Sequence, residues 1–127
     1  METSSANVSR ISPALILCRY KPGSKVDRNT ARENLLARMA FPGDDPQAVI
    51  TIFPRNVEFC NSLFDADQYG EGAIQARTRM LGFVAEEEIS EAMIKKYLAC
   101  HPTRVATQVF RSEPAALAWA GRGMEAI

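Results

Sequence analysis

AIQARTRMLGFV, residues 73–84, is the stretch on which the architecture turns. Ile74, Ala76, Thr78 and Met80 alternate with Gln75, Arg77, Arg79 and Leu81. That is the two-residue period of a strand, with an outer face wet at first and dry later. A helical reading through Ile74, Thr78 and Leu81 competes with it. Gly82 and the clean alternation favour the strand. The segment then joins three other apolar runs rich in β-branched residues, Ala14–Tyr20, Ala48–Phe53 and Val105–Phe110. Each run is followed by residues able to cap and form a helix. Strand–helix alternation of this kind requires a largely parallel sheet covered by crossover helices. The expected class is therefore α/β, a single domain with a mostly parallel sheet of four to five strands.

Outward from that segment, Ala14–Tyr20 is apolar almost throughout, as a strand covered on both faces would be, and Lys21-Pro22-Gly23-Ser24 ends it with turn chemistry. Asp27 can cap a helix running to about Phe41, with Ala31, Leu35, Leu36 and Met39 as its buried stripe. Pro42-Gly43-Asp44-Asp45-Pro46 breaks the chain before the second strand, and Pro54 ends that strand. Phe59, Leu63 and Phe64 suggest a short helix within Val57–Tyr69. Glu86–Cys100 has an apolar face of Ile89, Met93 and Tyr97, joined by Ala92, Ile94 and Leu98. Its glutamates cluster at the amino end and Lys95 and Lys96 lie near the carboxyl end, matching the helix dipole. Glu91 and Lys95 form an i,i+4 pair in the favourable order. Ser112 can cap a last helix packed through Leu117, Trp119 and Ala120, with Gly121 and Gly123 ending it. Residues 1–10 read either as a polar tail or, through Val8 and Ile11, as the beginning of an edge strand hairpinned at Ser12-Pro13; residues 11–127 form the domain.

The chain has 127 residues, enough for one domain with its own core, and its 46% hydrophobic and 24% charged content is ordinary for a globular protein. Fifteen basic and fifteen acidic side chains cancel, which removes the electrostatic reason to expect a nucleic-acid partner. No apolar stretch reaches the length of a membrane span, and Met1–Arg10 lacks the hydrophobic run of a signal peptide. Cys18, Cys60 and Cys100 are odd in number and far apart, which suits reduced thiols in a cytoplasmic protein. No cofactor or metal is expected. Asp65, Asp67 and Gly70 imitate the start of a calcium loop, but Tyr69 and Ala76 stand where oxygen ligands are needed. Gly70-Glu71-Gly72 and Gly121-Arg122-Gly123 lack the spacing of a phosphate loop. His101, the single histidine, reads as a helix-terminal residue near the last carbonyls.

The order strand, helix, strand, short helix, strand, helix, strand, helix resembles the STAS-type fold typified by the anti-sigma-factor antagonist SpoIIAA. Tyr20-Lys21-Pro22-Gly23, Ala31-Arg32-Glu33-Asn34 with Ala37-Arg38, and Val109-Phe110-Arg111-Ser112-Glu113 with Ala116-Leu117-Ala118-Trp119 resemble the bacterial SpoIIAA-like domains of unknown function. The resemblance spans about residues 14–121. It implies a candidate phosphorylation site at Ser62, since antagonist domains carry a phosphorylated serine at the start of the helix after a central strand. Asn61 stands here for the antagonists' aspartate, Leu63 for their second hydroxyl residue and Phe64 for their glycine. Asn61 and Ser62 are also the candidate ligand or anion site at that helix start, where backbone N–H groups favour negative charge.

The first functional expectation is thus a non-enzymatic regulatory or protein-interaction module whose partner is another protein. The related Sec14-like architecture implies the alternative, a small-ligand domain with an apolar pocket between sheet and helices for a lipid or a nucleotide. A small hydrolase or thiol enzyme using Cys60, Ser62 or His101 is the third reading, and no catalytic residue is assigned. An open sheet also leaves edges through which a homodimer can form.

Overall fold

Gln47–Phe53 is buried at every position, as a strand must be when it has neighbours on both edges and helices on both faces. Around it the chain runs β1 (Ala6–Ser12), β2 (Leu15–Tyr20), β3 (Lys25–Val26), α1 (Arg28–Met39), β4 (Gln47–Phe53), β5 (Glu58–Phe59), α2 (Gly72–Ala76), β6 (Thr78–Ala85), α3 (Glu88–Cys100), β7 (Ala106–Phe110) and α4 (Glu113–Glu125). A 3-10 helix, Asn61–Asp65, lies between β5 and α2. The structure is a computed structural model describing residues 1–125. The main sheet has the order β1-β2-β4-β6-β7. β2, β4, β6 and β7 are parallel, and β1 is an edge strand antiparallel to β2 with a bulge between Arg10 and Ser12. β3 and β5 pair in parallel as a separate two-stranded strap.

The period of two in the central strands sends alternate side chains to two cores. Val49 and Phe53 of β4, with Leu81 and Phe83 of β6, face α1 and α3 and meet Ala37, Ile94 and Tyr97. Ala48, Ile50 and Ile52, with Met80 and Val84, face α4 and meet Ala116 and Ala120. Gly82 lies on the α4 side, where a Cβ would stand 2.6 Å from Ile50 Cδ1 and 3.2 Å from Trp119. Only a hydrogen fits between those side chains.

The structure corrects the sequence reading in five places. In segment 73–84, Gly72–Ala76 is helical and the strand starts at Thr78. Ala and Gln are good helix formers, Ile74 is buried as a helical contact, and Thr78 Oγ1 donates to Ile74 O at 2.6 Å to close the turn. The short helix read within Val57–Tyr69 contracts to one 3-10 stretch, because β5 takes Glu58 and Phe59 into the strap. On α1 the inward stripe is Ala31, Asn34, Leu35 and Arg38 at i, i+3, i+4 and i+7, and Leu36 is 53% exposed. On α3 the buried stripe is Ser90, Ile94 and Tyr97, and Ile89 is 63% exposed. Polar side chains occupy the inward face of both helices, so counting apolar residues alone rotated each stripe. Finally, α4 runs through Gly121 and Gly123 instead of ending there: Gly123 lies so close to Met80 that a Cβ would collide, and Met124 packs on the second core.

The caps behave as their chemistry dictates. Asp27 accepts the Thr30 N–H at 2.8 Å and Thr30 Oγ1 accepts the Asp27 N–H at 3.0 Å, a reciprocal capping box on α1. Ser112 Oγ accepts the Ala115 N–H at 3.3 Å on α4. Glu87 precedes α3 and its carboxylate takes the Asn56 N–H at 2.7 Å instead of capping its own helix. Asn56 itself is the one non-glycine residue with positive φ among those described, 67°, a conformation asparagine tolerates.

Candidate functional site

The candidate residues of the 3-10 helix are divided by the fold. Asn61 points to solvent. Ser62 is half-buried, and its Oγ accepts the N–H of Arg28 at 3.3 Å. Arg28 is the first residue of α1, so Ser62 satisfies a donor that the helix itself leaves free. The serine that the resemblance singled out therefore caps a neighbouring helix from across the chain.

His101 and the cysteines do not come together. The imidazole Nε2 of His101 lies 2.8 Å from Phe64 O and its ring tilts against Tyr97, with centroids 5.2 Å apart. The imidazole thus tethers the end of α3 to the 3-10 helix; the carbonyls of its own helix are served by its backbone N–H, which reaches Tyr97 O at 2.8 Å. Cys60 Sγ lies 4.0 Å from Glu58 O, and Cys100 is exposed. Among the described residues, no hydrogen bond joins His101 to Cys60, Cys100 or Ser62. Asp67 Oδ1 accepts the Tyr69 N–H at 3.0 Å and so holds its own turn. No group of three or more His, Cys, Asp or Glu side chains is gathered as a metal would need among the described residues.

The feature with chemical content lies elsewhere, between the sheet and the α1/α3 layer. It is a cavity with about 60 Å³ of space for the centres of water-sized molecules. Its floor is the inward face of β2, β4 and β6, including Ile16, Cys18, Val49, Phe53 and Phe83. Ala31, Asn34, Leu35 and Arg38 of α1 and Ile94 and Tyr97 of α3 form the opposite wall. Val26 and Phe59 bring the β3–β5 strap to its side. The lining is mainly apolar, with a few convergent polar groups, the usual character of a small-molecule site.

Those polar groups have traceable partners. Tyr97 Oη accepts the Gln68 N–H at 2.8 Å and donates to Ala66 O at 3.3 Å. Asn34 Nδ2 donates to Ser5 Oγ at 3.1 Å, and Asn34 Oδ1 accepts from Thr3 Oγ1 at 2.6 Å. Burial pushes the Cys18 thiol up to about 12, so at neutral pH it is a small apolar side chain and not a nucleophile. Burial likewise drives the Tyr20 and Tyr69 phenols far above their ordinary range and takes Tyr97 up to about 12. All three phenols are thus neutral hydroxyls at physiological pH.

Arg38 is the exception to this neutrality. It is only 2% exposed. Nη2 donates to Arg77 O at 2.8 Å and Nε to Gln47 Oε1 at 3.4 Å, while Nη1 is buried with no partner. Burial pulls the guanidinium down to about 10, opposed by the Tyr69 phenol and assisted by the like charge of Arg77. It therefore remains a cation at neutral pH. None of Arg38, Asn34, Gln68, Tyr69 and Tyr97 stood among the candidate site residues read from the sequence. The signal available for the first two was their place on the inward stripe of α1, where a polar residue needs an explanation.

No helix among the described residues is long and apolar enough to cross a membrane. No curated protein matches the sequence. Among solved structures the fold is similar to an uncharacterized protein from the DUF3478 family, with a SpoIIAA-like fold, from Shewanella loihica PV-4. The TM-score is 0.57 at 10% sequence identity, over 94% of this chain and 98% of that one. The SpoIIAA-like α/β architecture expected from the order of elements is the one present. Residues 10–122 match a family defined only as a domain of unknown function, and the chain accordingly belongs to the DUF7793 family.

Proposed function

We propose that this domain is a non-enzymatic binding module that takes a small amphipathic molecule between its sheet and the α1/α3 layer. The observation that carries the reading is the cavity itself: an apolar chamber on the buried face of the sheet, with a cation in its wall. A fold built only to present an outer surface gains nothing from such a chamber, because void space forfeits packing contacts. Native mass spectrometry of the full chain, purified without detergent, tests the proposal. The expected result is a stoichiometric adduct of small mass that is lost in Ala31→Phe, where a half-buried wall residue of α1 is enlarged into the chamber. Protein that emerges without an adduct, and that gains no thermal stability from any short-chain amphiphile, would overturn it.

A second reading, a regulatory module switched at Ser62, is favoured by one contact, the Ser62 hydroxyl at the amino end of α1. A phosphate there would face free helix N–H groups and Arg28, which stabilise negative charge. This reading expects Ser62→Asp to change which protein partner the full chain captures. Identical capture by wild type and Ser62→Asp would dispose of it.

A further inference from the structure

Resting on the small-molecule reading above, we infer that the occupant is a carboxylate, its anionic head set against Arg38 and a compact apolar body lying on the floor of the sheet. A guanidinium taken out of water loses strong solvation, and protein structures ordinarily return it through a carboxylate partner. Arg38 has none. Its two engaged nitrogens meet a side-chain amide and a backbone carbonyl, both neutral. The ion pairs among the described residues involve Arg19, Lys21, Arg32 and Lys95 and leave Arg38 out. No aspartate or glutamate lines the cavity, and the charged neighbour that acts on Arg38 is Arg77, of the same sign. A position in the last turn of α1 gives some compensation from the helix dipole. That accounts for a cation near the helix end but not for an Nη1 left bare.

The rest of the wall fits one end of such a molecule and not the other. Ile16, Phe83 and Ile94 offer only apolar surface. Tyr20 and Tyr69 are hydroxyls that stay protonated at neutral pH, and a phenolic O–H can donate to an anion, whereas Tyr97 gives its proton to Ala66 O. A cationic occupant would meet Arg38 with repulsion. A neutral one would leave Nη1 as bare as it is now. The chamber is compact, holding a few water-sized molecules at roughly 10–15 Å³ each, so a short chain or a single ring suits it better than an extended lipid.

The experiment compares hexanoate, 1-hexanol and hexylammonium, three molecules of one chain length and different heads, by amide chemical-shift titration of the full chain. Hexanoate should bind at least about tenfold more tightly than 1-hexanol, the difference a charge-assisted hydrogen bond confers, and hexylammonium should be weakest. Arg38→Met should bring hexanoate down to the affinity of 1-hexanol, and Arg38→Lys should restore part of the preference. The comparison of heads on the wild-type chain stands even if a variant folds poorly. Equal binding of hexanoate and 1-hexanol would overturn the carboxylate inference and leave the cavity reading intact. Failure of all three to shift any resonance of the cavity wall would overturn both.

Discussion

Gly82 shows how much of this molecule depends on single atoms. It sits in the middle of β6, where propensity argues against glycine, because Ile50 and Trp119 close over it from the α4 side. Gly82→Ala should therefore lower the unfolding free energy by about 1–3 kcal/mol through overpacking, although alanine is the better strand residue. Urea denaturation measures it, and an unchanged midpoint would mean that α4 can move away at no cost. Arg38 makes the opposite case. Its burial without a counter-ion is a local rule broken, and such violations tend to collect where a protein does its work. Arg38→Met should leave stability in the absence of ligand equal to wild type or higher, since it exchanges an uncompensated charge for apolar volume. A fall of more than ~2 kcal/mol in urea would show instead that the bonds to Gln47 and Arg77 dominate. At this scale the sequence was least legible. Ser62 was visible through the resemblance and Cys18 through its strand, but Arg38 stood only in the words that carried the resemblance, with nothing in the letters to mark it as buried. What buries it is the register of α1, and a shift of one residue in that register separates the stripe read through Leu36 from the one built on Asn34, Leu35 and Arg38.

At the scale of elements the sequence was far more legible, and the reasons are physical. β2, β4 and β7 are short apolar runs closed by turn residues, and α1 begins at the Asp27 box that its capping residues announce. Asp27→Ala should cost about 1 kcal/mol, the ordinary value of an N-cap, measured as a shift of the urea midpoint with unchanged slope. Ser62→Ala removes only a 3.3 Å contact to the same helix end and should cost less. The junction of α2 and β6 was misplaced because four residues cannot establish a period. Ala73–Ala76 fits two residues per repeat as well as 3.6, and the Thr78–Ile74 hydrogen bond that settles the matter is invisible in a string of letters. The carboxyl end of α4 was misread for a related reason. Glycine usually terminates a helix, but here α4 continues through Gly123, where the end of the Met80 side chain fills the space a Cβ would take.

Over the whole molecule, the two cores share one sheet, and the buried thiol and phenols make its weak point alkaline. Cys18 is raised from 9.0 to about 12 and Tyr97 from 10.0 to about 12, both first by burial. Between their unfolded and folded values the native state holds protons that the unfolded chain has released, so stability falls as pH rises. Arg38, lowered from 12.5 to about 10, works the other way, but only above pH 10. Between pH 9 and 10 Cys18 alone should lose about 1 kcal/mol, and Tyr20, Tyr69 and Tyr97, whose phenols the unfolded chain begins to ionise in the same range, add to that loss. Urea midpoints at pH 8, 9 and 10 would record that slope, and Cys18→Ala should lower it, whatever its effect at pH 7, while the phenols keep the remainder. The same burial should keep Cys18 closed to a disulfide reagent at pH 8 while exposed Cys100 reacts at once. The β3–β5 strap has a kinetic corollary. Val26 and Phe59 are wall residues of the chamber, and the pair is fastened by a handful of backbone bonds such as Glu58 N to Ser24 O and Cys60 N to Val26 O, both 2.9 Å. A route into the chamber past the strap requires those bonds to open. Deuterium uptake at the Glu58 and Cys60 amides should therefore run ahead of uptake along β4, and it should slow once the chamber is filled.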